Sequence, residues 1–94
     1  MPWQPTLLED SLDPWLAIET DPARRRAVID FLMAMCDAEG RIDHARPLAG
    51  TQLPAFGALV PGQDVVIVWV IAETYQQLAI RYLYDVRREQ FFGG

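Results

Sequence analysis

The sequence predicts an α+β domain in which an N-terminal helical hairpin packs on a three- to four-stranded antiparallel sheet. Two Asp-Pro pairs near the start of the chain are typical of helix N-termini. Further along, Pro61-Gly62 separates two runs of β-like composition. The second run, VVIVWVIA, is eight consecutive apolar residues, which is typical of a strand buried on both faces.

The two helices are predicted from their N-terminal signals. An aspartate at the N-cap accepts hydrogen bonds from free backbone amides, and proline fits the first helical position. Asp21-Pro22 therefore begins a helix that we expect to run to about Glu39 and to stop at Gly40. Its apolar stripe consists of Val28, Phe31, Leu32 and Met35. Asp13-Pro14 begins a shorter helix, to about Thr20, which can persist only when it packs against its neighbour.

A β-hairpin is predicted over Leu53–Val60 and Val65–Ala72, with the Pro-Gly pair at the centre of a type II turn. The second strand, Val65–Ala72, is expected at the centre of the sheet. A sheet covered on one side only should alternate apolar with polar residues, and this strand does not. Two short helices can cover one face, so the other face needs the N-terminal segment, a second copy or a partner chain.

The segment from Tyr75 to Val86 is compatible with two structures. A helical stripe can be drawn through Tyr75, Leu78, Ala79, Tyr82, Leu83 and Val86. A strand face can equally be drawn through Ile80, Tyr82, Tyr84 and Val86. The density of β-branched and aromatic residues favours the strand.

Composition indicates one globular domain over residues 1–94, with 51% hydrophobic and 22% charged residues. A net charge of −5 argues against a broad nucleic-acid-binding surface. The apolar run is far shorter than the ~20 residues that cross a bilayer, and the N-terminus lacks a signal-peptide pattern. We therefore expect a cytoplasmic protein. One cysteine, Cys36, and one histidine, His44, give no metal-ligand set, and no cofactor motif occurs.

Three stretches carry a family resemblance. The loop Pro47-Leu48-Ala49-Gly50 reads P-L-x-G, VVIVWVI follows after a tight turn, and LAIRYLYDVRR leads into a basic end. In this order, after two helices, they resemble the RelE/ParE superfamily of toxin–antitoxin toxins. The resemblance covers nearly the whole chain and implies that residues 75–86 are a strand. It also implies a toxin-like component of a type II toxin–antitoxin pair, with an antitoxin as its partner.

The chain departs from the ribonucleases of that superfamily at the positions that would hold their chemistry. Ala55–Val60 contains no basic residue, and Val66 stands where arginine is usual. Arg87 matches the C-terminal arginine, but residues 91–94 provide no hydroxyl or imidazole group. Phosphoryl chemistry needs both positive charge and an acid–base group. The resemblance is therefore nearer to the ParE branch, and an enzyme is not the favoured interpretation.

A partner-binding site is predicted at the end of the last long strand. Its residues are Arg81, Tyr82, Tyr84, Asp85, Arg87 and Arg88. Arginine and tyrosine are enriched at binding hot spots, and on a regular strand Arg81, Asp85 and Arg87 would share one face. The alternative is a solvated edge whose charges discourage strand pairing. A second basic cluster, Arg24-Arg25-Arg26, either pairs with the acidic N-terminal segment or receives an acidic partner.

Two functional hypotheses remain open on this evidence. The first is a toxin-like member of a toxin–antitoxin pair without ribonuclease activity. The second is a non-catalytic module on the same scaffold that forms a homodimer or binds another protein. The acidic composition and the missing catalytic residues favour the second hypothesis, whereas the order of the elements suits both.

Overall fold

A computed structural model describes residues 3–50 and 53–93 as an α+β fold with two α-helices and a six-stranded mixed sheet. The strands are β1 (Gln4–Thr6), β2 (Arg46–Pro47), β3 (Ala55–Val60), β4 (Val65–Ala72), β5 (Gln77–Asp85) and β6 (Gln90–Gly93). The helices are α1 (Leu12–Ile18) and α2 (Pro22–Asp37), and short 3₁₀ turns lie at Leu8–Asp10 and Glu73–Tyr75.

The sheet order is β1-β5-β4-β3-β2, and β6 also pairs with β5. The α+β class is confirmed, as is the central place of β4. The prediction of three or four antiparallel strands is wrong, because β1 precedes the helices and pairs with β5 in parallel, and β2 and β6 extend the two edges. These added strands have only three, two and four residues, so each depends on its longer neighbour for pairing.

Helix α2 begins as predicted, since the Asp21 carboxylate accepts hydrogen bonds from the amides of Ala23 and Arg24. It ends at Asp37, two residues earlier than expected, and Glu39 and Gly40 then adopt positive φ angles of 57° and 78°. Helix α1 begins at Leu12 instead of Pro14 and ends at Ile18. Its N-cap residue is Ser11, whose hydroxyl donates to the Leu7 carbonyl and caps no helical amide.

The β3–β4 hairpin follows the predicted turn chemistry. The Gln63 amide donates to the Val60 carbonyl, and Gly62 has a φ of 77°, as the third residue of a type II turn requires. Strand β4 spans Val65–Ala72 as expected. Strand β3 begins at Ala55, two residues after the predicted Leu53, because the preceding Pro54 has no amide to donate to a ladder.

Residues 77–85 form strand β5, which decides the ambiguous segment in favour of a strand. A β-bulge interrupts its pairing with β4: Val68 pairs with Tyr82 and Trp69 with Ile80, so Arg81 has no partner. The bulge shifts the side-chain alternation by one residue. The predicted common face of Arg81 and Asp85 is therefore wrong, since Arg81 is exposed and Asp85 is fully buried.

The core lies between the two helices and one face of the sheet. Trp15 from α1, Met35 from α2 and Trp69 from β4 are its largest fully buried side chains. The Trp69 indole donates to the Gly40 carbonyl at 3.0 Å, which joins the end of α2 to the central strand. No helix among the described residues is both long and apolar enough to cross a membrane.

Candidate functional site

The six predicted site residues lie in three different environments. Tyr82 and Tyr84 alternate with the core-facing residues of β5 and lie on the sheet face opposite the helices. Asp85 and Arg88 belong to a buried ion-pair network. Arg81 and Arg87 are exposed on the surface. The strand end therefore does not form one continuous arginine–tyrosine patch.

The buried network connects both helices to the sheet. Asp85 on β5 is fully buried and accepts from Arg24 Nη2 at 2.9 Å and from Arg88 Nη1 at 2.7 Å. The Trp15 indole donates to the same carboxylate at 2.9 Å. Glu19, just after α1, accepts from Arg24 and from Arg88. Arg24 also donates to the Gln63 carbonyl at 2.7 Å, so it ties α2 to the β3–β4 turn.

Both carboxylates of the network remain ionised at neutral pH. Hydrogen bonding from Arg24 lowers the pKa of Glu19 to about 2, against the opposing effect of burial. Burial of Asp85 favours its neutral form, but hydrogen bonds from Arg24, Trp15 and Arg88 outweigh it and lower the pKa of this carboxyl. Their oxygens are already occupied by internal donors. The network is therefore suited to fixing the helices on the sheet and not to proton transfer.

The predicted basic clusters are only partly free. For Arg24, the expected pairing with the acidic N-terminal segment is confirmed by its ion pair with Glu19. Arg87 forms an exposed ion pair with Asp64 at 3.1 Å, with both side chains about half exposed. Arg81 makes no ion pair with any described residue and borders an open surface pocket of about 500 Å³.

Two of the predicted site residues, Tyr82 and Tyr84, lie on the sheet face that points away from the helices. We call it the open sheet face. Register places its side chains in three rows across the strands. The ridge row is Leu59, Val66, Tyr84 and Phe91. The middle row is Arg46, Gly57, Val68, Tyr82 and Gly93. The small-residue row is Ala55, Val70, Ala79 and Thr6.

The open sheet face is apolar, and both α-helices pack on the other side. Ala55 and Val68 are buried but do not belong to the core cluster between the helices and the sheet. Leu59 is 47% exposed and Phe91 is 63% exposed. The Phe91 ring lies 4.4 Å from that of Tyr84 and 5.5 Å from that of Tyr82, measured between centroids. No position in the three rows is acidic, and Arg46 carries their one charge.

Sequence reasoning identified Tyr82 and Tyr84 but missed Leu59 and Phe91. The signal that could have found them is the two-faced apolar character of β4, which requires its neighbours to continue an apolar surface on both sides. The strand β6, which carries Phe91, follows Arg87-Arg88-Glu89-Gln90 and has no periodic pattern of its own.

Two further candidates from the sequence are Cys36 and His44. Cys36 is buried, and burial raises the pKa of its thiol, so it is a poor nucleophile. His44 lies 3.3 Å from the Leu59 carbonyl through Nε2, at the edge of the sheet. Within residues 3–50 and 53–93 there is no group of three or more side chains arranged to hold a metal ion.

Comparison of the chain with known protein families, with curated proteins and with solved structures gave no match. The described residues combine an internal ion-pair network with an apolar sheet face on which neither helix packs, an arrangement suited to binding a protein surface.

Proposed function

We propose that the chain is a non-catalytic protein-binding module whose working surface is the open sheet face. The observation that carries the proposal is the exposure of Leu59 and Phe91 beside two tyrosines on a face without acidic residues. Uncovered apolar patches of this kind mark interaction sites in soluble proteins, and tyrosine and phenylalanine are enriched within them.

The state of the two buried carboxylates supports a role without catalysis. The described carboxylates with strongly lowered pKa values, Glu19 and Asp85, are held by internal arginines. The middle row of the open sheet face carries a single cation, Arg46, which is too little to bind and protonate a phosphate diester. A nuclease would need several such groups facing one substrate.

The experiment is an RNA-cleavage assay with purified protein on free and on ribosome-bound mRNA. We expect no cleavage above that of a buffer control. Codon-specific cleavage that disappears in Arg87→Ala would contradict the proposal, because this arginine matches the catalytic-end arginine of the RelE ribonucleases. Arg41→Ala provides the matched control, since Arg41 is likewise about half exposed in a surface ion pair, with Glu73, and lies outside the open sheet face.

A toxin-like component of a type II toxin–antitoxin pair, nearer to ParE than to RelE, is the second candidate. It is supported by the order of the elements, two helices followed by the β3–β4–β5 meander, and by the P-L-x-G loop before β3. Induction of the chain in growing cells tests this role. Growth arrest that is relieved by co-expression of the adjacent reading frame would support this role. Unimpaired growth would reject it and leave the non-catalytic binding module as the proposed function.

A further inference from the structure

On the open sheet face, a row of mostly large side chains and a row of mostly small side chains lie on opposite sides of the middle row. The ridge row has large side chains on three of its four strands, Leu59, Tyr84 and Phe91, and a valine on β4. The small-residue row, with Ala55 and Ala79, runs parallel to it on the other side of the middle row. On β3 and β4 each of these two rows lies two residues from the middle row, and on β5 the bulge places Ala79 three residues from Tyr82.

We propose that a second copy of this chain occupies the open sheet face, related by a two-fold axis along the middle row. This rotation places the ridge row of one copy over the small-residue row of the other. Tyr84 then lies over the partner's Ala79, and Leu59 lies over the partner's Ala55. An interface of this kind is isologous, because each copy contributes the same surface. The inference deepens the proposed function by naming what the face binds.

The charges of the face agree with a second copy. The chain carries a net charge of −5, yet none of the acidic residues falls in the three rows. Two copies can therefore meet without burying a carboxylate, which would be costly. An acidic partner would find Arg46 at one margin of the face and Arg81 at the other, where Arg81 shares a pocket with Asp10 and Gly93. On the proposed axis the two Arg46 side chains lie at the rim, where water and salt screen them.

The size of the face is sufficient for a dimer of modest affinity. Five strands abreast at about 4.8 Å, and the length of β4 at about 3.3 Å per residue, give roughly 600 Å² per copy. Two copies would bury about 1,200 Å², which is the lower end of specific interfaces. Area alone does not fix the affinity, so the dissociation constant is the quantity to measure.

Sedimentation and light scattering on the purified full chain test the second copy. We expect a concentration-dependent mass that approaches twice 10.7 kDa. Leu59→Glu and Phe91→Glu should each raise the dissociation constant at least ~10-fold, because they place a carboxylate in the ridge row. Met33→Glu is the matched control, since Met33 is 61% exposed on α2 and lies outside the face. Both ridge positions are exposed enough for the variants to fold, which their melting curves verify.

Crosslinking tests the packing itself. In the proposed dimer, Phe91 of one copy lies over Thr6 of the other, in facing sheets roughly 10 Å apart. Thr6→Cys and Phe91→Cys proteins are mixed and treated with a short bismaleimide, so that a 6–91 crosslink can form only between two chains. We expect this product to exceed the 91–91 product. The opposite result, with a dimeric mass, would overturn the packing.

The salt dependence of dimerisation tests the charge argument. Screening reduces the repulsion between two copies of net charge −5, so dimerisation should strengthen from low to high salt. A strictly monomeric chain at about 100 μM, or a dimer unaffected by both ridge variants, would overturn the inference. Either result, together with an absence of RNA cleavage, would leave the proposed non-catalytic function standing.

Discussion

At the scale of single residues, two consecutive arginines have opposite surroundings. Arg88 is 31% exposed and donates to both buried carboxylates of the network, Glu19 and Asp85. Arg87 is about half exposed and pairs only with Asp64, itself exposed. Surface ion pairs contribute little, whereas the loss of one partner from a buried pair is costly. We therefore expect Arg88 to contribute more to the stability of the fold than Arg87, although the two arginines are adjacent in the sequence.

We expect Arg88→Ala to lower the free energy of unfolding by about 2 kcal/mol, since Arg24 still pairs with both carboxylates and limits the loss. Arg87→Ala, the matched control, should change it by less than ~0.5 kcal/mol. Chemical denaturation followed by circular dichroism measures both values. Equal effects at the two positions would contradict the assignment of Arg88 to the network. A glutamate at Arg88 would also destabilise the fold, so a loss of partner binding in such a variant would not by itself identify Arg88 as a docking residue.

Among the helices and strands, the features that could be predicted are those that depend on residues close together in the sequence. The N-cap of α2, the Pro-Gly turn and β4 could be predicted because each depends on neighbouring residues in the chain. Strands β1, β2 and β6 could not, since their pairing is imposed by partners distant in sequence. The bulge at Arg81 is likewise invisible in the pattern, and it moved Asp85 from the predicted surface to the interior.

The junction between α2 and the sheet gives a prediction about how these elements pack. A Cβ atom at Gly40 would lie 2.7 Å from Leu78 Cδ2 and 3.0 Å from Trp69 Nε1. Gly62 has nearly the same φ, 77° against 78°, but its Cβ would meet no atom within 4 Å. Gly40→Ala should therefore cost about 2 kcal/mol more than Gly62→Ala, which shares the backbone strain and lacks the clash.

Paired unfolding curves of the two alanine variants measure the difference. Gly62→Ala should lose only about 1 kcal/mol, the cost of a left-handed residue with a Cβ atom. Loss of the Trp69 indole bond to the Gly40 carbonyl would also change the tryptophan fluorescence of Gly40→Ala alone. Equal destabilisation would show that the end of α2 does not press on the sheet.

Across the whole molecule, one ion-pair network connects elements that are distant in the sequence. It includes Glu19 after α1, Arg24 in α2 and Asp85 at the end of β5. Internal pairing with the acidic N-terminal segment was one of two interpretations of the Arg24 cluster in the sequence, but nothing in the pattern identified Asp85 as its second partner. The candidate site was predictable at Tyr82 and Tyr84, two partly buried aromatic residues that alternate with core residues on β5 after the bulge.

Because the network joins both helices to the sheet, acid should unfold the whole chain through it. The pKa of Glu19 falls from its ordinary value of 4.5 to about 2 on folding, and that of Asp85 is also lowered. A group with a lowered pKa contributes stability that is complete above its unfolded value and disappears as pH falls through the folded value. The melting temperature should therefore be nearly constant above about pH 5 and decrease steeply between about pH 4.5 and pH 2.

Thermal unfolding at half-unit pH steps, at constant ionic strength, measures this decrease. Glu19→Gln separates the network from the other carboxylates of the chain: it should be less stable than the wild type at pH 7, and the gap should narrow as the pH falls towards 2, where the wild-type carboxylate is protonated as well. Glu73→Gln, which removes a carboxylate from the exposed pair with Arg41, is the matched control and should follow the wild-type curve at every pH. A gap between wild type and Glu19→Gln that stays constant from pH 7 to pH 2 would mean that ionisation of Glu19 does not hold the helices on the sheet.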